Sequence, residues 1–264
     1  MRSRVSLLLG VAAGAWLVHE RRVRKTAERV AAAALETLLN AIEANDRETG
    51  MHVRRVASYA VILADAAGLG DRARHAVERV ALFHDIGKIH EALFDIVHDG
   101  ARLSPSERRA IATHPRVGYE VLAPLSPIYP DLPEAVLSHH ERWDGHGYPR
   151  RLHGEQIPLT ARIVTIADTF DAVAHNRRYR RGGGVEAATR VIEAGRASQF
   201  DPSLVDLLML PPVLDEFERA HIAARRRSRA SRERRDARQP ASVPDINFRW
   251  RSESLAETAV PSTT

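Results

Sequence analysis

The sequence predicts an all-α protein. Apolar residues recur at helical spacing through most of residues 26–215, and Gly and Pro punctuate the points where such stretches stop and start. No alternating run is convincing as a sheet strand, and no internal repeat is visible. The 264 residues suit one ordinary domain with extensions, or two small domains. Aromatics make up only 5% against 44% apolar residues in all, so alanine, valine and leucine must fill the core.

The helices follow in order. From Thr26 to Ala44 the apolar positions are Ala27, Val30, Ala31, Ala34, Leu35, Leu38, Leu39 and Ile42, with Glu28, Glu36 and Glu43 on the other face. A second helix runs from about Met51 to Ala67 and stops at Gly68 and Gly70. Asp71 can cap a third, which leads through Val77 and Val80 to His84 and Asp85. Ser104 and Glu107 have capping-box spacing, with Pro105 at the first helical position, and that helix is expected to reach His114 before Pro115. Pro133 opens another through His140, residues 160–175 form a further one bearing Asp168 and Asp171, and Glu186–Ala194 and Pro202–Leu210 complete the set. After Pro211 and Pro212 the pattern decays into "ARRRSRASRERRDARQP". The tail is expected to be a solvated helix that frays into disorder.

The net charge of +5 is unevenly placed. Residues 1–25 carry +5 and residues 216–264 carry +4, which leaves −4 on residues 26–215. The basic balance belongs to the ends and is no argument that the folded middle binds nucleic acid; charge runs of this kind are ordinarily solvated. Three segments are therefore expected: 1–25, 26–215 and 216–264. Residues 5–18, "VSLLLGVAAGAWLV", are uncharged, with Arg2 and Arg4 before them and Arg21, Arg22, Arg24 and Lys25 after. As a helix they reach about 21 Å, against about 30 Å for a bilayer core. They read as a membrane anchor that leaves the rest cytoplasmic, as a signal peptide, or as the remnant of a longer anchor.

With no cysteine there is no disulfide, thiolate metal site or cysteine nucleophile. A metal here must be held by histidine and carboxylate. "ETGMH", "FHDIGK", "THP", "SHH" and "IADTFDA" supply such groups on separate segments. Glu48 and His52 are four apart and share a helix face. His84–Asp85 and His139–His140 are adjacent pairs, about 100° apart on a helix. Both members of a pair reach one cluster only if it is wide, which suits more than one ion with a carboxylate such as Asp85 bridging. A lone histidine is more often a surface or core residue than a ligand. That plain reading goes to His19, His75, His90, His98, His146, His153, His175 and His221. Only two of the 39 basic residues are lysine, and one of them, Lys88, lies in "FHDIGKIH", where a compact ammonium is chemically distinct from an arginine fork.

Taken in order, "TGMHVRRVASYA", "LFHDIGKI", "THPRVGYEVL", "SHHERWDGHGYPRRLHGEQIPLTARIVTIADTFDAV", "RRYR" and "FDPSLVDLL" resemble an HD-GYP domain, a subfamily of the HD metal-dependent phosphohydrolases. The match runs from about Leu38 to Leu210. The resemblance implies an HD-type helical bundle with a metal site in its core, and hydrolysis of cyclic di-GMP to pGpG, often onward to GMP. It implies two or three divalent ions, iron or manganese. His52, His84, Asp85, His114, His139, His140 and Asp168 would be ligands, with Glu48 at the position that goes with a third metal in some members. Lys88 would contact the scissile phosphate, beside Asp85, and Arg177 and Arg180 would hold the substrate's phosphates. The loop of Asp144, Gly145, Gly147, Tyr148 and Pro149 names the family and can dock diguanylate cyclase domains. The chemistry agrees: metal ions activate water and neutralise phosphoryl oxygens, nitrogen and oxygen ligands suit iron or manganese, and arginine forks fit phosphate. Two departures stand out. "HEALFDIVHDGARLS" replaces the family's usual proline-aspartate step and lysine-proline-glycine turn, and Arg178 stands where proline is usual. Two rival functions follow: a non-catalytic nucleotide-binding or cyclase-docking module, and an HD phosphohydrolase acting on another cyclic dinucleotide or nucleotide.

Overall fold

The computed structural model describes residues 2–89, 104–175 and 182–236. Those residues are helical, with no strand among them; one isolated bridge joins Arg196 and Phe200. The chain divides into a unit Met1–Ala224 and a unit beginning at Arg225.

α1 (Arg2–Asn45) is one continuous helix. It buries Ala31, Leu35, Leu39 and Ile42, a stripe repeating at about every fourth residue, whereas Val30 stays exposed although the periodicity counted it as apolar-face. Trp16, Leu17 and Val18 are also exposed. Among the described residues no helix is long and apolar enough to cross a membrane. α2 (Arg47–Ala66) starts at Asp46, whose carboxylate accepts the Glu48 N–H. α3 (Asp71–Phe83) has Gly70, not Asp71, as its N-cap, and no side chain caps it. Asp71 lies instead in the first turn, where its charge still meets the positive end of the helix dipole.

The helix expected to run from Ser104 to His114 is two helices. α4 (Pro105–Ile111) has the anticipated capping box, with both Ser104–Glu107 hydrogen bonds made. α5 (His114–Leu122) begins at His114 with Pro115 in its first turn. A proline lacks the N–H that a helix interior needs but is at home in a first turn, so Pro115 opens a helix rather than following one. α6 (Asp131–Ser138) starts two residues ahead of Pro133. α7 (Leu159–Ala174), α8 (Gly184–Ala194) and α9 (Pro202–Leu208) lie where expected.

α10 (Pro211–Asp236) corrects the sequence reading most. The core continues past residue 215: Phe217 is fully buried, stacked on Tyr59 at 5.2 Å between ring centroids and edge-on to Phe170 at 4.9 Å. His221 is buried one turn later. One phenylalanine and one histidine in an otherwise arginine-rich stretch are too sparse to register as a periodic face. Residues 237–264 lie outside the described residues, as does the fraying expected there.

α2 and α7 form the centre of the bundle. α2 packs against α1, α3 and α7, and α7 also packs against α3, α6 and α8. The candidate ligands come from these helices and from the turns at the ends of α3, α5 and α6.

Candidate metal centre

The structure gathers the histidines and aspartates singled out by the motifs. Asp85, His114, His139 and His140 form one group whose ligand atoms lie within 4.8 Å of one another, and His52, His84 and Asp85 form a second. Asp85 belongs to both, as the adjacent-pair argument anticipated. Asp168, on α7, has Oδ1 3.4 Å from His52 Nε2 and 3.9 Å from His84 Nε2.

Local backbone positions these groups. His84 ends α3, and the 3-10 turn Ile86–Ile89 follows at once. That turn crosses α5 so closely that a Cβ on Gly87 would lie 2.1 Å from the His114 carbonyl oxygen. The glycine of "HDIGK" thus lets Asp85 and His114 approach. His84 Nδ1 donates to the Ala81 carbonyl at 2.8 Å, His114 Nδ1 to Ile111 at 2.7 Å and His139 Nδ1 to Val136 at 2.6 Å. Each ring is tethered to the carbonyl three residues before it. We assign the proton to Nδ1 on that geometry, which leaves each Nε2 as a lone pair facing the cluster.

Those lone pairs have too few donors. His114 Nε2 and His139 Nε2 face one another at 3.1 Å, and His114 Nε2 is 3.3 Å from Asp85 Oδ1. Among the described residues His84 Nε2 and Asp85 Oδ1 are buried without a hydrogen bond. Acceptors packed against acceptors are costly in a protein interior unless a cation lies among them. The donor set is all imidazole nitrogen and carboxylate oxygen, so these residues fit divalent metal.

The electrostatics point the same way. Burial, reinforced by the neighbouring charges of His114 and Lys88, pushes His140 down to about 3. Burial pushes His139 well below its usual value and also lowers His84, outweighing Asp85. Asp85 is desolvated, but Lys88 and His84 hold its carboxyl well below the usual range. Lys88 Nζ donates to Asp85 Oδ2 at 2.6 Å. His84, His139 and His140 are therefore kept neutral, the state in which an imidazole can ligate a metal. An unfolded chain takes up these protons near pH 6.5. Because the folded values are depressed, their stability contribution is present above pH 6.5 and is lost as the pH falls below it. Metal-free protein followed by urea unfolding is expected to lose about 1.4 kcal/mol per pH unit on account of His140, whose folded value is about 3, as the pH falls from 6.5 to 5. His140→Gln should make that slope shallower by about one histidine's share. A flat profile would mean the cluster is not held neutral.

The loop after His140 is bound to the site. The Tyr148 ring stacks on the His140 ring at 4.9 Å, and Tyr148 N–H donates to the His140 carbonyl. Asp144 accepts both Arg142 Nε and Nη2 and the His146 N–H. Gly147 passes so close to Glu141 and Arg142 that a Cβ would meet the Arg142 nitrogen at 2.4 Å. Gly145 adopts φ +79°, and the Tyr148–Pro149 peptide is cis.

One predicted site residue is not brought in. Glu48 is exposed in the first turn of α2 and belongs to neither group. Arg177 and Arg180 lie outside the described residues, as do residues 90–103 of the unusual segment after "HDIGK". Sequence reasoning also missed supporting residues. Glu141 is buried and accepts the Arg150 and Leu152 N–H groups at 2.7 and 3.1 Å, closing the loop. Asp171 and Arg55 pair beneath His52. Their i+3 spacing from Asp168 and His52 was the signal available.

A helical bundle whose buried histidines and aspartates converge from helix ends in this order has the architecture of an HD domain. The HD domain family model matches residues 36–204, more than half the chain, and the chain belongs to that family. The HD-GYP kinship inferred from the motifs holds. The chain is 38% identical over 174 residues to the 3′3′-cGAMP-specific phosphodiesterase 2 of Vibrio cholerae, covering 65% of this chain and 33% of that protein. It is 37% identical over 192 residues to the cyclic di-GMP phosphodiesterase response regulator RpfG of Xanthomonas campestris, covering 72% and 48%. It is 35% identical over 176 residues to a cyclic di-GMP phosphodiesterase of Thermotoga maritima, covering 66% and 48%. The chain thus spans half or less of these relatives' lengths.

Proposed function

We propose that this chain is a metal-dependent phosphodiesterase that hydrolyses cyclic di-GMP to pGpG, GMP or both. The observation that carries the reading is the pair of buried His/Asp groups sharing Asp85 within an HD domain. His52, His84, Asp85, His114, His139, His140 and Asp168 would hold two divalent ions, iron or manganese, with Glu48 reserved for a third. When bound, such ions activate water and neutralise the phosphoryl oxygens.

The chain's own residues do the rest. Three rings are aimed by backbone carbonyls, and His52 by a carboxylate. Lys88 is anchored on Asp85 and is 27% exposed on its side chain, so its ammonium can serve a substrate phosphate at the edge of the cluster. Arg177 and Arg180 would bind the remaining phosphate oxygens. The loop 144–149 would offer its outer face to a diguanylate cyclase domain. We place the domain in the cytoplasm, with the apolar run 5–18 as its contact to the inner membrane.

A second substrate has specific support. The chain is as similar to a relative named for 3′3′-cGAMP as to those named for cyclic di-GMP. The full chain, loaded with iron or manganese without oxygen, should be given each dinucleotide separately and the products resolved by chromatography. Cleavage of cyclic di-GMP is the expected result. Cleavage of 3′3′-cGAMP alone would reassign the substrate, and binding without cleavage of either would favour a docking module.

A further inference from the structure

His52 differs from the other tethered histidines. His84, His114 and His139 rest on local backbone carbonyls, whereas His52 Nδ1 lies 2.7 Å from Oδ2 of Asp171, 119 residues away. Asp171 is 1% exposed. Arg55 grips it with both arms, Nε to Oδ1 at 2.6 Å and Nη2 to Oδ2 at 2.9 Å. Two helices therefore meet as two matched pairs: His52 and Arg55 one turn apart on α2, Asp168 and Asp171 one turn apart on α7. On each helix one member faces the metal cluster and the other supports it. Behind Asp171, His175 Nε2 is 3.6 Å from Oδ1 and 2.9 Å from the Tyr59 hydroxyl.

We propose that Asp171 is a positioning residue which, clamped by Arg55, holds the proton of His52 on Nδ1 and so keeps Nε2 open to a metal ion. The proposal rests on the reading of the cluster as a metal centre. A carboxylate behind a ligating imidazole fixes its tautomer and ring direction and raises its basicity. The bidentate Arg55 leaves the carboxylate no freedom to turn. An apolar side chain at this position would behave differently. Asp171→Leu leaves His52 Nδ1 without the carboxylate that accepts its proton. The acceptors left to the ring are Asp85 and Asp168 on its Nε2 side, so the proton would move to Nε2.

The test uses the full chain labelled with 15N and stripped of metal, with His52 assigned by the loss of its signals in His52→Gln. Wild type should show Nδ1 protonated. Asp171→Leu should show the proton on Nε2, unchanged helical circular dichroism, and manganese affinity reduced about 10- to 100-fold. A proton on Nε2 in wild type would overturn the proposal, as would wild-type tautomer and affinity in Asp171→Leu. If Asp171→Leu does not fold, the wild-type spectrum alone decides. If wild type binds no metal, the metal-centre reading fails, and the tautomer comparison still judges Asp171.

Discussion

A chain carrying His84→Ala and Asp85→Ala together is expected to hold no metal and to leave cyclic dinucleotides uncut. Asp85 is common to both ligand groups, and His84 has a buried Nε2 with no hydrogen bond, so the pair of changes breaks both groups at once. In the metal-free fold the double change gives up the Lys88–Asp85 pair and the His84–Ala81 hydrogen bond, and relieves His84 Nε2 and Asp85 Oδ1. Removing mutually unsatisfied polar groups together costs far less than removing one partner of a satisfied pair. Metal counting by elemental analysis, with circular dichroism as the check on folding, separates loss of the site from loss of the protein. A folded double variant that still cuts substrate would sink the site assignment.

Phe217→Ala is expected to cost about 3–5 kcal/mol of stability, a large part of the roughly 5–15 kcal/mol that holds a typical domain. The ring is fully buried between Tyr59 of α2 and Phe170 of α7, which themselves pack at 4.7 Å. Tyr59 and Phe170 lie on the helices that carry His52 and Asp168, so the loss is felt beneath the metal centre. Truncation after residue 215 should therefore unfold the domain or leave it aggregated, while truncation after Ala224 should not. Urea unfolding of the three proteins measures this. Wild-type stability in the chain ending at 215 would return the boundary to where the sequence alone places it.

The motifs made most of the candidate site legible. Histidines and aspartates spread from residue 52 to residue 168 do converge, because each was flagged by residue type together with its order along the chain. The support beneath them was not legible. Asp171, Arg55 and Glu141 are charged residues, which ordinarily face solvent, and their burial depends on partners chosen by tertiary packing. Glu48 shows the converse: helical spacing places it on the face of His52, yet it remains exposed at the helix end. In the fold, helix existence was readable and ends were less so. Pro115 was taken as a stop when its position in a first turn makes it a start. A helix after Pro211 is expected from the sequence but its burial is not, because past residue 215 the buried Phe217 and His221 stand among arginines and leave almost no periodic signal.

The way the core closes also has a consequence for synthesis at the ribosome. α10 supplies a ring that the first half of the domain needs, since Phe217 meets Tyr59 across more than 150 residues of chain. Contacts of such high sequence separation form late and slowly. His52 and Asp168 are translated well before Phe217. Until α10 leaves the exit tunnel, the nascent chain carries the candidate ligands on a bundle with its floor still missing. If the cluster holds an ion as proposed, stable capture must wait for α10, which makes acquisition of the ion a late event of translation.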